Sequence, residues 1–307
     1  MADPTAWIGR EAHAEDVVTA GAVARFRATI DHPGDHPGDH PGDHPGDHPG
    51  DHPGDRPGDG PAVPPGFHWC LCLPDTPTDA LGEDGHPVKG GFLPPVDLPR
   101  RMWAASEVRF LRPIAVGAAI ERVSTIAAIS EKQGSSGPLA FVEIDHLTRA
   151  DGVDAIGERQ TIVYRAASTV PMPLPATGGA ELDGWDWRRT LTPGPALLQR
   201  YSALTFNSHR IHYDLPYATG MEGYPGLVVH GPLIATLLLD LAAQHIGPDA
   251  IGGLSFKALT PAFAGQALHL LARADGDAVE LVAQRDDGSV AVRARVAIRR
   301  NAQAMDS

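Results

Sequence analysis

The chain has 307 residues, of which 42% are hydrophobic, and it carries a formal net charge of -13. This length is enough for two domains of ordinary size or for one core built twice. Because a nucleic-acid partner normally requires a basic face that neutralises phosphates, the acidic balance argues against nucleic-acid binding.

No stretch of the sequence predicts export or a membrane partner. The N-terminus, MADPTAWIGREAHAED, lacks an apolar core of signal-peptide length, and the longest apolar run, 233–243, is far shorter than the roughly 20 residues that cross a bilayer. Cys70 and Cys72 lie too close together to cross-link a large fold and suit a reducing compartment. Buried thiols on a strand are favoured over a metal-binding pair. We therefore predict a cytoplasmic protein.

The first half predicts a helix, a low-complexity insert and a run of strands. Residues 6–30 have apolar side chains at helical spacing, so an amphipathic helix is expected there. From residue 31 the tetrapeptide DHPG repeats six times, and its prolines and glycines prevent helix and sheet formation. We predict a disordered acidic insert at 31–65. A strand is then predicted for FHWCLCLP, and a shaped loop for LGEDGHPVKGGFLPPVDLPRRMWA. Residues 105–168 are predicted to form further strands.

The second half repeats this order after a linker. Residues 169–188 are rich in Pro and Gly without periodicity, which is typical of a linker. A short helix is expected at 195–205 and a longer one at 231–246, whose broadly apolar surface indicates that sheet wraps around it. Strands separated by Asp-Gly turns follow. A helix followed by antiparallel strands, occurring twice, predicts an α+β fold with units 1–168 and 189–302 and a tail at 303–307.

Polar residues concentrate just before the long helix, and this region carries a resemblance. FNSHRIHYDLPYA followed by YPGLVVHGPLIATLL resembles the hydratase motif and central helix of MaoC-like hot-dog proteins. RYSALTFNSHRIHYD, GHPVKGGFLPPVDLPRRMWA and SGPLAFVEI are similar to the double hot-dog subgroup of mesaconyl-CoA and itaconyl-CoA hydratases and fungal-type mitochondrial hydroxyacyl-thioester dehydratases. The resemblance implies two antiparallel sheets, a long central helix wrapped in the C-terminal half and a degenerate helix in the N-terminal half.

The resemblance also implies an activity: reversible hydration of an enoyl-CoA to a 3-hydroxyacyl-CoA, on a short branched or dicarboxylic acyl group such as mesaconyl-C4-CoA or itaconyl-CoA. Three alternatives stay open, namely a 3-hydroxyacyl-acyl carrier protein dehydratase of fatty-acid synthesis, an acyl-CoA thioesterase, and a non-catalytic protein that binds acyl thioesters. No cofactor is implied, and no residues form a convincing metal-ligand set. A homodimer is expected from the resemblance.

Three residues are expected to carry the chemistry. His212 occupies the place of the family's catalytic histidine, and the N–H of Gly231 is placed to polarise the thioester oxygen with help from the helix dipole. Asn207 stands where single-chain R-specific hydratases have Asp, and an amide orients water without shuttling a proton. His212 is therefore expected to make both proton transfers. The fallback acids are His209, Asp214 and Glu222.

Polar and aromatic neighbours of this motif are candidates for substrate binding: Arg210, His209, Tyr213, His230 and Tyr224. Each site residue also has a structural interpretation. His212 is alternatively a structural histidine beside a helix cap. Asn207 alternatively forms hydrogen bonds with the loop backbone. Arg210 either clamps a carboxylate or phosphate or is solvated.

Other residues are expected to serve structure. His209 is favoured as structural, and His230 as a residue that shapes the helix start. Arg100 and Arg101 are expected to form a strand-edge charge pair rather than a nucleotide-binding site. The first half lacks the histidine motif, so it is expected to be a non-catalytic partner that makes room for the substrate.

Overall fold

The computed structural model describes residues 3–32, 60–134, 137–167 and 170–299. Within these residues the chain forms three α-helices and ten strands, joined by loops and short helical turns. The helices are α1 (Ala20–Ile30), α2 (Pro195–Thr205) and α3 (Gly231–Ile246). The strands are β1 (Glu11–Val17), β2 (Arg100–Phe110), β3 (Ala119–Gly134), β4 (Gly137–Ala150), β5 (Val153–Arg165), β6 (Trp187–Leu191), β7 (Ile251–Ala258), β8 (Leu268–Asp275), β9 (Ala278–Arg285) and β10 (Val290–Ile298).

The ten strands form one continuous antiparallel sheet, in the order β1-β3-β4-β5-β2-β7-β10-β9-β8-β6. The α+β class is confirmed, but the expectation of two separate sheets is wrong. The halves join where β2 pairs with β7, from Ala105 opposite Lys257 to Arg109 opposite Gly253. Two separate sheets would leave unpaired backbone groups along both of these strands, whereas joining them satisfies those groups.

The two halves repeat the same strand order on either side of this seam. Moving outward from β2, the sequence of strands is β5, β4, β3 and β1, and moving outward from β7 it is β10, β9, β8 and β6. Each outer strand precedes a helical segment along the chain, and each half ends with three consecutive hairpin-connected strands. The repeat expected from the sequence is therefore confirmed.

Helix α3 has the predicted bounds and is enclosed by the sheet. It begins after His230, carries Pro232 in its first turn, where a missing N–H costs little, and ends at Gly247 with φ 83°. All eleven residues of 233–243 are buried, and the helix contacts β2 and β6 to β10. Its buried Asp240 is satisfied by Arg189, with the Nη1 and Oδ2 atoms 3.4 Å apart. The sheet thus wraps the central helix as expected.

The N-terminal half has a shorter helix and uses a loop to complete its cover. Helix α1 is capped by Thr19, whose hydroxyl accepts from the Ala22 N–H, and it buries Val23, Phe26 and Ile30. Farther out, the loop 92–98 packs on β3, β4 and β5 to form a second apolar cluster. This arrangement agrees with a degenerate helix in the first half.

Two local predictions in the first half are wrong. Residues 6–30 are not one helix: a 3-10 turn at Pro4–Trp7 precedes β1, and only α1 is α-helical. Strand β1 forms because Glu11–Val17 pairs along its whole length with β3, a long-range contact that overrides local helical spacing. The segment FHWC is not a strand but a buried 3-10 turn that follows Gly66, and Cys72 has a left-handed φ of 52°.

Part of the predicted insert at 31–65 and the tail at 303–307 lie outside the described residues. The described ends of the insert contact the fold: His32 Nδ1 lies 2.6 Å from Asp240 Oδ1, and the Val63 N–H donates to the Ile114 carbonyl over 2.8 Å. Within the described part of the chain, no helix is long and apolar enough to cross a membrane.

Gly253 tests the seam between the halves. A Cβ at this position of β7 would lie 2.8 Å from the Val108 carbonyl oxygen of β2. We expect Gly253→Ala to force the strands apart and to lower the free energy of unfolding by about 1–3 kcal/mol, measured by chemical denaturation. Gly91→Ala, whose Cβ would meet nothing within 4 Å, is the control. Equal stability of the two variants would contradict this account.

Candidate active site

His212 lies in a 3-10 turn, Arg210–His212, between α2 and α3, and its side chain is buried. Helix α2 ends at Phe206 with a left-handed φ of 47°, which turns the chain toward this loop. The Nδ1 atom of His212 lies 2.7 Å from the Val228 carbonyl oxygen. Because a carbonyl oxygen only accepts, Nδ1 carries the proton, and Nε2 is left with a free lone pair. The structure therefore holds His212 in the tautomer that a general base needs.

Burial keeps His212 neutral. It lowers the pKa of His212 to about 4, against the smaller opposing effect of the hydrogen bond to Val228. The ring of His230 stacks on the His212 ring, with centroids 3.5 Å apart and an interplanar angle of 19°. Burial also lowers the pKa of His230 well below its ordinary value. The stack thus consists of two neutral imidazoles at neutral pH.

His230 connects this stack to the N-terminus of α3. Its Nε2 lies 2.9 Å from the Ser202 hydroxyl, which fixes the ring, and it is the residue that caps α3. The next residue, Gly231, donates its N–H to no acceptor among the described residues, as expected in the first turn of a helix. An unpaired N–H and the positive end of the helix dipole therefore lie next to the imidazole stack.

Asn207 is partly engaged by its own loop. Its Oδ1 accepts from the His209 N–H over 3.0 Å, and its N–H donates to the Ser202 carbonyl over 2.9 Å. Its Nδ2 has no hydrogen-bond partner in the described part of the chain. The Asn207 side chain therefore accepts a hydrogen bond from the loop backbone and still has its Nδ2 group to donate to a ligand.

Residues of the N-terminal half extend the histidine cluster. The His209 ring meets His212 edge-on, with centroids 5.4 Å apart, and His86 packs on His209 at 4.1 Å. His86 Nδ1 lies 3.1 Å from Asp84 Oδ2. Burial lowers the pKa of His209 to about 2, so this ring is neutral as well. Asp84 and His86 were missed from the sequence, although the GEDGHPVKGG loop carries both an acid and a histidine.

The ligand atoms of Asp84, His86 and His209 lie within 4.8 Å of one another, a geometry that could hold a metal ion. Arg101 Nε is 3.9 Å from Asp84 Oδ2. Burial alone would raise the pKa of Asp84, but hydrogen bonds from His86 and the charge of Arg101 outweigh it and hold the pKa well below its ordinary value. The Asp84 charge is thus balanced by protein groups without a metal.

The remaining candidate side chains have other partners. Arg210 pairs with Asp214 over 2.7 Å, and its guanidinium lies 4.1 Å from the Tyr217 ring centroid. Tyr213 is 47% exposed, and the Tyr224 hydroxyl accepts from Arg165 over 3.0 Å. These contacts support a structural role for Arg210, and the substrate-binding roles of the two tyrosines stay predictions.

Arg100 and Arg101 do not form a pair at a sheet edge. Both are buried at the start of β2, which lies in the middle of the sheet, because β5 and β7 flank it. Arg100 Nε lies 2.8 Å from Glu222 Oε2. Burial raises the pKa of Glu222 against the opposing charge of Arg100, and its role as a fallback acid stays a prediction.

Comparison with known proteins agrees with this geometry. Residues 66–264 match the family described as hydroxyacyl-thioester dehydratase type 2. The chain is 42% identical over 296 residues to mesaconyl-C(4)-CoA hydratase of Chloroflexus aurantiacus, a match that covers 96% of this chain and 98% of that protein. It is 28% identical over 232 residues to the mitochondrial hydroxyacyl-thioester dehydratase type 2 of Schizosaccharomyces pombe, which covers 67% of this chain and 76% of that protein.

Solved structures show the same fold at low sequence identity. A MaoC-like dehydratase matches with a TM-score of 0.69 and 15% identity, covering 97% of this chain and all of that one. The double hot-dog protein RV0216 of Mycobacterium tuberculosis matches with a TM-score of 0.54 and 12% identity, covering 95% and 96% of the two chains. The chain belongs to the hydroxyacyl-thioester dehydratase type 2 family, and it is an acyl-thioester hydro-lyase with a MaoC-like double hot-dog fold.

Proposed function

We propose that this enzyme adds water reversibly to a short enoyl-CoA that carries a free carboxylate or a methyl branch, with mesaconyl-C4-CoA as the best candidate. The observation that carries the proposal is the buried His212, which has a free Nε2 and stacks on His230, the residue directly before Gly231 and its unpaired N–H at the start of α3. The name of the Chloroflexus relative supports the acyl group and the coenzyme A carrier.

In the hydration direction, His212 Nε2 removes a proton from water while the water oxygen bonds to the β-carbon of the enoyl group. The electrons of the double bond move toward the thioester, and negative charge develops on its oxygen. The N–H of Gly231 and the dipole of α3 stabilise that oxygen. His212 then returns the proton to the α-carbon, which completes the 3-hydroxyacyl thioester.

A single histidine performs both proton transfers in this scheme. Asn207 has a free Nδ2 to orient water but no proton to exchange, and Glu222 is held by Arg100. The Val228 carbonyl favours the protonated form of His212 that exists between the two transfers. The homodimer and the cytoplasmic location that the sequence suggested stay predictions.

The activity is tested with mesaconyl-C4-CoA and crotonyl-CoA, following the absorbance of the conjugated double bond and the release of free thiol together. We expect the double bond to disappear without thiol release. His212→Asn should lower kcat by about 10²- to 10⁴-fold, because the base is lost. The control is His245→Asn, a histidine stacked on Trp187 near the other end of α3.

Two outcomes of this assay would count against the proposal. Thiol release would identify a thioesterase, and no reaction with any of several acyl-CoAs or with acyl carrier protein thioesters would leave a binding protein. A His212→Asn variant with the wild-type rate would remove His212 from the mechanism.

Gly231→Pro tests the backbone donor directly. Proline is tolerated in the first turn of a helix, and the preceding His230 already has φ -61° and ψ 130°, which a following proline accepts. The substitution removes the N–H, so we expect kcat to fall by about 10²- to 10³-fold while circular dichroism stays unchanged.

The matched control for this test is Gly231→Ala, which keeps the N–H. Its Cβ would make ordinary contacts at 3.7 Å with the Trp103 carbonyl oxygen and 3.8 Å with the Ala258 Cβ. Similar kcat values for the proline and alanine variants would show that this N–H does not bind the thioester oxygen.

The pH dependence of the rate follows from the buried state of His212. The neutral imidazole is the active form, and burial lowers the pKa of His212 to about 4, below the ordinary histidine value of 6.5. As pH falls, kcat/KM for mesaconyl-C4-CoA should therefore stay flat through 6.5 and decline only as pH approaches 4. Circular dichroism at each pH checks that the fold persists. A decline centred at pH 6.5 would mean that the base is not this buried histidine.

A further inference from the structure

Two buried polar atoms near the catalytic histidines have no hydrogen-bond partner among the described residues, although Arg101 is anchored through its Nη2, which donates to the Pro87 carbonyl over 2.6 Å. Arg101, which is 7% exposed, has no hydrogen-bond partner for its Nε among the described residues, and neither has the hydroxyl of the fully buried Tyr164. The two residues lie directly opposite each other on β2 and β5, so their side chains leave the same face of the sheet about 5 Å apart. Unsatisfied buried donors are costly, so this pair is suited to a ligand that supplies acceptors.

The charges around this pair favour an anion. Lys89 adds a second positive charge 5.6 Å from the Tyr164 ring centroid. The half-buried Asp84 is the negative group near Arg101, and its Oδ2 already lies 3.1 Å from His86 Nδ1. Arg100, the neighbouring cation, is neutralised by Glu222 at 2.8 Å. Asp97, the other acid near Lys89, is exposed, so solvent screens its charge. Two cations therefore face one half-buried anion, which leaves room for a single negative charge.

The position of Arg101 relative to Gly231 suits a short acyl chain. Arg101 lies two residues before Trp103 on β2, which is about 6.6 Å along a strand. The Trp103 carbonyl oxygen would be 3.7 Å from a Cβ placed on Gly231. The terminal carbons of a trans four-carbon diacid are three bonds apart, about 3.8 Å. With hydrogen bonds of about 2.9 Å at both ends, such a group spans donors roughly 8–10 Å apart.

We propose that Arg101 and Tyr164 bind the free carboxylate of the acyl group and make the enzyme selective for mono-thioesters of short dicarboxylic acids. The Arg101 Nε–H donates to one carboxylate oxygen, and the Tyr164 O–H donates to the carboxylate from the adjacent strand. This inference rests on the proposed hydratase function. It assigns specificity to the half of the chain that has no histidine motif.

The test compares kcat/KM for mesaconyl-C4-CoA with kcat/KM for crotonyl-CoA, which lacks the carboxylate. Arg101→Met should lower the ratio of the two values by about 10- to 100-fold, since a hydrogen bond to a charged group is lost. Tyr164→Phe should lower the ratio by about 2- to 10-fold. It removes a hydroxyl with no hydrogen-bond partner among the described residues, so the fold is expected to tolerate it. Arg100→Met is the matched control and should leave the ratio unchanged, because this arginine is paired with Glu222.

A ratio that stays constant in Arg101→Met and in Tyr164→Phe would overturn the proposal, whether the two rates fall together or not at all. A binding measurement distinguishes failure of the carboxylate site from failure of the hydratase function. Calorimetric titration with succinyl-CoA and butyryl-CoA, two saturated four-carbon thioesters, requires no hydration. Preferential binding of succinyl-CoA that is lost in Arg101→Met supports the carboxylate site even in an inactive protein, and equal affinities for the two thioesters refute it.

Discussion

The pairing of β2 with β7 is the contact on which the site depends. It joins two halves that are far apart in the sequence into one sheet, over Ala105–Arg109 and Gly253–Lys257. The start of β2 continues past this seam and brings Trp103 next to Gly231. The loop that precedes β2 then lies against His209. Without this strand pairing, only the C-terminal half would cover the N-terminus of α3 and the histidines.

Burial is the second constraint, and it sets the protonation states in the site. Desolvation lowers the pKa of His212, His209 and His230, so the imidazoles pack against one another without charge repulsion. The same loss of water strengthens the interaction between a helix N-terminus and a developing negative charge. The neutral state of His212 is thus a consequence of burial, and the unpaired N–H of Gly231 lies at the start of the enclosed helix.

The sequence predicted the elements whose signals are local. Helices α2 and α3 were placed at their observed bounds because Pro195 and Pro232 mark the helix starts and Gly247 marks the end of α3. Strand β1 was mistaken for helix because its conformation depends on pairing with β3, about a hundred residues away. The single sheet was missed for the same reason, since no local pattern specifies that β2 and β7 are neighbours.

In the candidate site too, residues in a local motif could be predicted from the sequence, whereas residues brought in by long-range contacts could not. His212 and Gly231 follow from a contiguous motif, and the structure connects them through His230, which stacks on His212 and directly precedes Gly231. Asp84, His86 and Arg101 reach the site only through the fold, because strands β3 to β6 and helix α2 separate them from His209 along the chain. Sequence reasoning could identify them as polar residues but not as neighbours of the motif.

The two halves cover the sheet differently. The C-terminal half keeps a complete central helix, whose N-terminus stabilises negative charge, while the N-terminal half has the shorter α1 and the loop 92–98 in its place. Beside that loop, the Nε of Arg101 and the hydroxyl of Tyr164 remain buried without hydrogen-bond partners among the described residues. If the proposed function holds, this difference between the halves leaves Arg101 and Tyr164 available to the acyl group.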